Sequence, residues 1–279
     1  MDWLLLVVLG LVAGTFGSLL GLGGGIIVVP ALLVMSDIIP SFAGITPQTA
    51  VGTSLLIMIF TGLSSTISYT KQKVIDIKSG FIFFAGSGPG ALFGVWLNKG
   101  METNMFLIIF GLFMLFIAFV LFVRNYLKPL PVKRTSIKRE YITELGESRN
   151  MDFHWDLVWA SLLLLELYQG CSALAGGSLM VPAMILLFGF PPHVAVATSM
   201  FMILFSSIVS SISHISLGNV EWLYSLALIP GAWFGATIGA AINKRLKSNT
   251  LIILLRFFLI IIALRLIWQG IQECRENSW

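Results

Sequence analysis

The sequence predicts an all-α, polytopic integral membrane protein built from two homologous repeats, and three observations carry that prediction. Of 279 residues, 57% are hydrophobic and 11% charged, and the mean hydropathy is +0.93. Apolar runs long enough to cross roughly 30 Å of hydrocarbon recur along nearly the whole length, which excludes a soluble domain. The second observation is Gly21-Leu22-Gly23-Gly24-Gly25-Ile26-Ile27-Val28-Val29-Pro30, a glycine cluster inside the apolar run from Trp3 to Met35. Glycine carries the largest backbone entropy in a helix and leaves the main chain open to close approach. Unwound backbone at membrane depth is tolerated only where protein or a water-filled cavity satisfies its polar groups. A binding site would supply both.

The third observation is repetition. Laying Pro30 on Pro182 puts Gly24 and Gly25 on Gly176 and Gly177, Val29 on Val181 and Ala31 on Ala183. Thr46 to Ser54 then echoes Pro191 to Ser199, Pro89-Gly90-Ala91-Leu92-Phe93-Gly94 echoes Pro230-Gly231-Ala232-Trp233-Phe234-Gly235, and Asn98-Lys99 echoes Asn243-Lys244. Matches in the same order point to an internal duplication. The chain therefore divides into a first transmembrane repeat at 1–126, a polar linker at 127–152 and a second repeat at 153–279.

Taken in order, residues 3–35 read as two short apolar helical pieces around the glycines, each marginal for a full crossing. The start Met1-Asp2-Trp3 carries an acid and no basic region of a signal peptide, so the first apolar run is expected to be retained. Three spans follow. The first, from about Pro47 to Tyr69, has proline at a favourable helix start and is rich in Ser and Thr. The next runs from about Ile77 to Leu97, interrupted near Gly86-Ser87-Gly88-Pro89-Gly90. The third, from about Thr103 to Tyr126, is dominated by Phe, Leu and Ile and suits contact with lipid. The segment 124–150 is polar and holds seven Lys or Arg against three Glu, which places it on the cytoplasmic side. The second repeat has its own broken element at 154–189 and spans near 192–216, 221–242 and 249–271.

Loop charge favours an inverted relation between the repeats. In the first repeat the loop holding Lys71, Lys73 and Lys78 is basic, whereas in the second the basic loop is the one holding Lys244, Arg245 and Lys247. If each broken element is re-entrant or crosses twice, the halves point oppositely and every strongly basic loop lies in the cytoplasm, with both termini outside. If each crosses once as a discontinuous helix, the halves are parallel. The net charge of +4 is therefore a topology signal first.

Paired broken elements in two halves point to a transporter site near the membrane midplane. A helix starting after the glycines presents free N–H groups and a positive dipole end, which suits an anion. The main-chain candidates are Gly23, Gly24, Gly25, Gly176, Gly177 and Ser178. Thr53, Ser54, Thr198, Ser199, Gln48 and His193 are the candidate polar wall. Competing readings are helix packing by the small residues, back-bonding of Ser and Thr to helix carbonyls, and an interfacial position for His193. Glu166 and His214 are candidates for coupling to an ion, because an intramembrane ionisable group is costly. For Glu166 the plainer alternative is an ion pair with Arg256 or Arg265. Cys171 and Cys274 form no metal or disulfide framework by spacing, and a packing role is the plainer reading for Cys171. No enzyme signature, cofactor motif or nucleotide-binding domain is present, so a secondary carrier or channel is expected, with no cofactor and no metal.

These motifs resemble the TauE/SafE family of membrane transporters, described as sulfite exporters or probable membrane transporters. The resemblance lies in Gly17-Ser18-Leu19-Leu20-Gly21-Leu22-Gly23-Gly24-Gly25 with Pro30, in Thr49 to Ser54, and in the Pro-Gly-Ala segments at Pro89 and Pro230. It covers nearly the whole chain and implies movement of small sulfur-containing anions, sulfite and organosulfonates among them, across a bacterial inner membrane. The second copy departs from the pattern: Ala173 and Ala175 replace glycines, and Gln169 and Cys171 stand where the family has small or apolar residues, which implies an asymmetric site. The expected partners are a small anion, the lipid bilayer and a coupling proton or sodium ion, with no nucleic acid; a homo-oligomer is compatible with the sequence. Rival readings are a channel, a carrier of a carboxylate or metal ion, a membrane enzyme using His214, Glu166 or Cys171, and a structural membrane subunit. Few intramembrane carboxylates argue against a cation site.

Overall fold

The computed structural model describes residues 2–39, 42, 44–84, 137–142, 148–153, 180–186 and 189–276, together with isolated helical positions between 108 and 122. The membrane part is helical. Helix α1 is Asp2–Leu20, α2 is Gly25–Ile38 and α3 is Pro47–Lys71; α4 begins at 77 and is described to 84. After the linker come α5 (Met180–Leu186), α6 (Pro192–Ser216), α7 (Trp222–Arg245) and α8 (Ser248–Glu276). Among the described residues five helices are long and apolar enough to cross a membrane: Trp3–Leu20, Gln48–Lys71, Pro192–Ser216, Trp222–Arg245 and Ser248–Gln272. The first of these corrects the expectation that both pieces of the opening run are marginal. At 19 residues α1 reaches about 28 Å by itself, while the 14 residues of α2 reach about 21 Å and fall short.

Local chemistry sets the helix ends. Thr46 caps α3 with a reciprocal box: its Oγ1 accepts from the Thr49 N–H at 3.2 Å, and Thr49 Oγ1 accepts from the Thr46 N–H at 2.9 Å, with Pro47 following. Asp76 starts α4 in a similar way, its carboxylate accepting from the Ser79 N–H and hydroxyl. In the linker the all-helical expectation needs one amendment. Strand β1 (Ile137–Ile142) pairs antiparallel with β2 (Ser148–Phe153), with Lys138 opposite Asp152 and Ile137 opposite Phe153.

Packing partners fix the relative helix directions. Helices α1 and α7 run parallel, because a Cβ on Gly231, Gly235 and Gly239 would overlap the carbonyls of Val7, Leu11 and Thr15 in turn. Gly10 and Gly14 meet Leu228 and Ala232 reciprocally. This is close packing through small residues, the ordinary way for helices to associate where no hydrophobic drive exists. Helices α3 and α6 run antiparallel: Gly52 lies against His214 and Asn219, Gly62 against Leu204, and the Asp76 N–H against Thr198. At the end of α3, Tyr69 donates to the Ser18 carbonyl at 2.9 Å and Ser65 to the Ser18 hydroxyl at 2.8 Å, so α1 and α3 finish at one level. Past α2, the Phe42 ring packs on Tyr224 in the first turn of α7, 5.1 Å between centroids, beside the start of α1.

Of the described positions in the span near 103–126, Leu112, Phe116, Phe119 and Phe122 are exposed, while Gly111, Met114 and Ala118 are buried. The expected spans at 77–97 and 103–126 otherwise lie largely outside the described residues. So does the second broken element, apart from α5.

Candidate functional site

The site region is built from the turn between α1 and α2. Gly21, Gly23 and Gly24 hold φ of 74°, 77° and 93°, a left-handed backbone that costs other residues about 1–2 kcal/mol. Leu22 and Gly23 donate back to the Gly17 carbonyl at 2.9 and 3.3 Å, folding the turn onto α1, where only Gly17 leaves room for Gly24. Helix α2 then starts with Gly24 as its N-cap, without a side-chain cap. The Ile27 and Val28 N–H groups donate to the Gly24 carbonyl at 3.0 and 3.1 Å, which leaves those of Gly25 and Ile26 without a partner inside the helix.

Helices from both halves of the chain meet at this turn. Ser199 on α6 donates to the Gly21 carbonyl at 2.8 Å, and the position of a Cβ on Gly21 falls 2.7 Å from Val181 of α5. On the other side, a Cβ at Gly25 would lie 2.9 Å from Met58 Sδ and 3.6 Å from Ser54 Oγ. Ser54 is buried and donates to the Val51 carbonyl at 2.8 Å, the back-bonding that competes with ligand contact. Ser199 thus lies at the Gly21 end of the turn and Ser54 at the Gly25 end, with Gly23 and Gly24 between them.

The other expected wall residues are elsewhere. Thr53 Oγ1 accepts from the Glu221 N–H at 3.0 Å, and Thr198 Oγ1 accepts from the Asp76 N–H at 3.2 Å. Each threonine therefore secures the start of a helix in the opposite repeat. His193 Nδ1 lies 2.8 Å from Asn243 Oδ1, and the Asn243 amide donates to the Leu19 carbonyl at 2.9 Å, so this pair caps the end of α1. Gln48 is exposed at the start of α3. His214 is half-buried beside Gly52, and its Nδ1, like the Ser211 hydroxyl one turn earlier, has no hydrogen-bond partner among the described residues. Gly176, Gly177, Ser178, Cys171 and Glu166 lie outside the described residues.

Two side chains that pack on the turn were not singled out from sequence: Met58 and Ile203. The position of a Cβ on Gly23 falls 2.5 Å from Met58 Cε and 3.1 Å from Ile203 Cγ2. One turn beyond Ser54 and Ser199 in their respective repeats, they are equivalent in the duplication, which is the signal that could have found them. A nearby shallow apolar groove is lined by Leu20, Val181, Ile185, Val196, Leu251 and Leu255 among others. Among the described residues no three His, Cys, Asp or Glu side chains gather as a metal site requires.

Residues 6–266 match the family described as Sulfite exporter TauE/SafE. The chain belongs to that family. It is 48% identical over 271 residues to the probable membrane transporter protein YunE of Bacillus subtilis, covering 97% of this chain and 99% of the relative. It is also 25% identical to the probable membrane transporter protein YjnA of the same organism, over 94% of this chain and 98% of that one. With YfcA of Escherichia coli, another probable membrane transporter protein, it shares 23% identity over 82% of this chain and 76% of the relative. No solved structure matches the chain. Membership and the five apolar helices make this TauE/SafE chain a multi-pass membrane protein of a transporter family.

Proposed function

We propose that the chain is a secondary transporter of a small anion, with sulfite or an organosulfonate as the cargo and the turn at Gly21–Gly25 as half of its site. The observation that carries this reading is that turn: an uncapped helix start, without side chains of its own at Gly23, Gly24 and Gly25, with Ser54 beside Gly25 and Ser199 on the Gly21 carbonyl. Such a start favours negative charge. The family name adds sulfite as the first cargo to test. Gly176, Gly177 and Ser178 would supply the other half. The reading is of a carrier and not an enzyme, in a bacterial cytoplasmic membrane, with a proton or sodium ion as the coupling partner and Glu166 and His214 as the groups to test for it.

The same reading takes the repeats as inverted and the α1–turn–α2 element as re-entrant. Antiparallel α3 and α6 support the first, because these helices are equivalent in the duplication. The placement of Phe42 on Tyr224 supports the second. Alternating access would follow from one repeat rocking against the other.

Thermal unfolding of purified protein in detergent tests the cargo. At an anion concentration of 100 times Kd, binding to the folded state alone adds about 2.7 kcal/mol. The expected result is a rise in Tm with sulfite or an organosulfonate such as sulfoacetate or taurine, small with acetate or succinate, and absent in Gly24→Val. A larger rise with carboxylates would replace the cargo class, and an undiminished rise in Gly24→Val would remove the turn from the site.

A further inference from the structure

The turn is covered, and what covers it is apolar. Met58 and Ile203 are 5% and 3% exposed, and both reach Gly23, Met58 also reaching Gly25. They come from α3 and α6, which cross nearby where Gly62 meets Leu204, so the antiparallel crossing holds Met58 and its counterpart Ile203 over Gly23. The consequence for an anion is steric. Beside the first turn of α2 the Met58 thioether lies against Gly25 next to the Ser54 hydroxyl, so a sulfonate or sulfite seated on that glycine from the α3 side has to displace it.

We propose that Met58, backed by Ile203, is the stopper of the anion site, and that its displacement governs access to the start of α2. This rests on the site proposed above. The two residues differ in the property that matters. Methionine is unbranched, with three rotatable bonds, and repacks at little cost; isoleucine is β-branched and stiff at χ1. Met58 is therefore the side chain that moves, and Ile203 the wall it closes against. An unbranched apolar stopper also explains how the site can exclude water when empty without placing a charge at the midplane, where one would be costly.

The test uses the full-length protein in liposomes, with Cys171→Ser and Cys274→Ser as background and Ser54→Cys as a reporter of access. The probe is 2-sulfonatoethyl methanethiosulfonate, a small anionic thiol reagent, and the readout is its rate of reaction. Reaction at a buried thiol follows the fraction of time its cover is open. Adding Met58→Ala is expected to raise the rate by about tenfold, and Met58→Ile to lower it. Met58→Leu, which keeps volume and flexibility, is expected to stay within about twofold of the parent, which guards against a general loosening of the fold. A Met58→Ala rate within about twofold of the parent, or a Met58→Leu rate raised as far as that of Met58→Ala, would overturn the proposal. The reaction needs no transported cargo, so a failure of the anion reading in thermal unfolding would leave this result standing on its own.

Discussion

Thr53 and Thr198 occupy equivalent positions in the two repeats and make equivalent bonds, each to the main-chain N–H at the start of a helix in the other repeat. Glu221 and Asp76, the donors, are themselves equivalent, 145 residues apart as the threonines are. In sequence both hydroxyls look like part of a polar wall, because a Thr-Ser pair in a span looks the same whether it meets a ligand or a neighbouring helix. Their geometry makes a definite prediction. Thr53→Val or Thr198→Val keeps shape and removes the acceptor, so each should lower unfolding free energy by about 1–3 kcal/mol. Lying at opposite ends of the bundle, the two losses should add to within about 0.5 kcal/mol in the double variant. Denaturant or thermal unfolding in detergent reads both.

Among elements, the decisive contact is that of α1 with α7. The segment Pro230 to Gly235, a repeat marker in the sequence, places Gly231 and Gly235 where the α1 backbone touches α7, and Gly239 extends the seam by one turn. Lipid offers apolar side chains no reason to leave it, so the helices are held by backbone contact that only glycine permits. Gly235→Leu would overlap the Leu11 carbonyl, force the helices apart and destabilise the fold by about 1–3 kcal/mol. A lowered Tm with insertion retained is the expected result; an unchanged Tm would mean that the helices do not meet there. Since α1 ends in the turn, the same variant should also weaken anion-dependent stabilisation.

For the whole molecule, the contacts gather basic residues at one end. Gln72 donates to the Ala240 carbonyl at 3.2 Å, which brings Lys71 and Lys73 beside the end of α7 with Lys244, Arg245 and Lys247, all exposed. Leu217, 70% exposed, lies at the opposite end, after α6. The positive-inside rule then orients the bundle. In the cysteine-free background, Lys73→Cys and Lys247→Cys should react with an impermeant maleimide only from the cytoplasmic side, and Leu217→Cys only from outside. Labelling of Lys73→Cys and Lys247→Cys from opposite sides would refute the proposed inversion.

Sequence by itself determined the membrane class and the position of the first turn, and it carries the proposed duplication. These are properties of composition and local backbone: apolar length, an offset that recurs, and glycines that tolerate a left-handed φ. It also determined the family, since those markers run through the whole chain. Which hydroxyls face the turn was decided only by tertiary structure. Ser199 reaches Gly21 and Ser54 flanks Gly25, whereas Thr53, Thr198 and His193 bind helix ends, because helix crossing and rotation select which face of α3 and α6 meets each neighbour. Met58 and Ile203 were invisible for the same reason. An apolar residue in an apolar span carries no local sign of what it covers, and only the antiparallel crossing of α3 and α6 brings both onto Gly23.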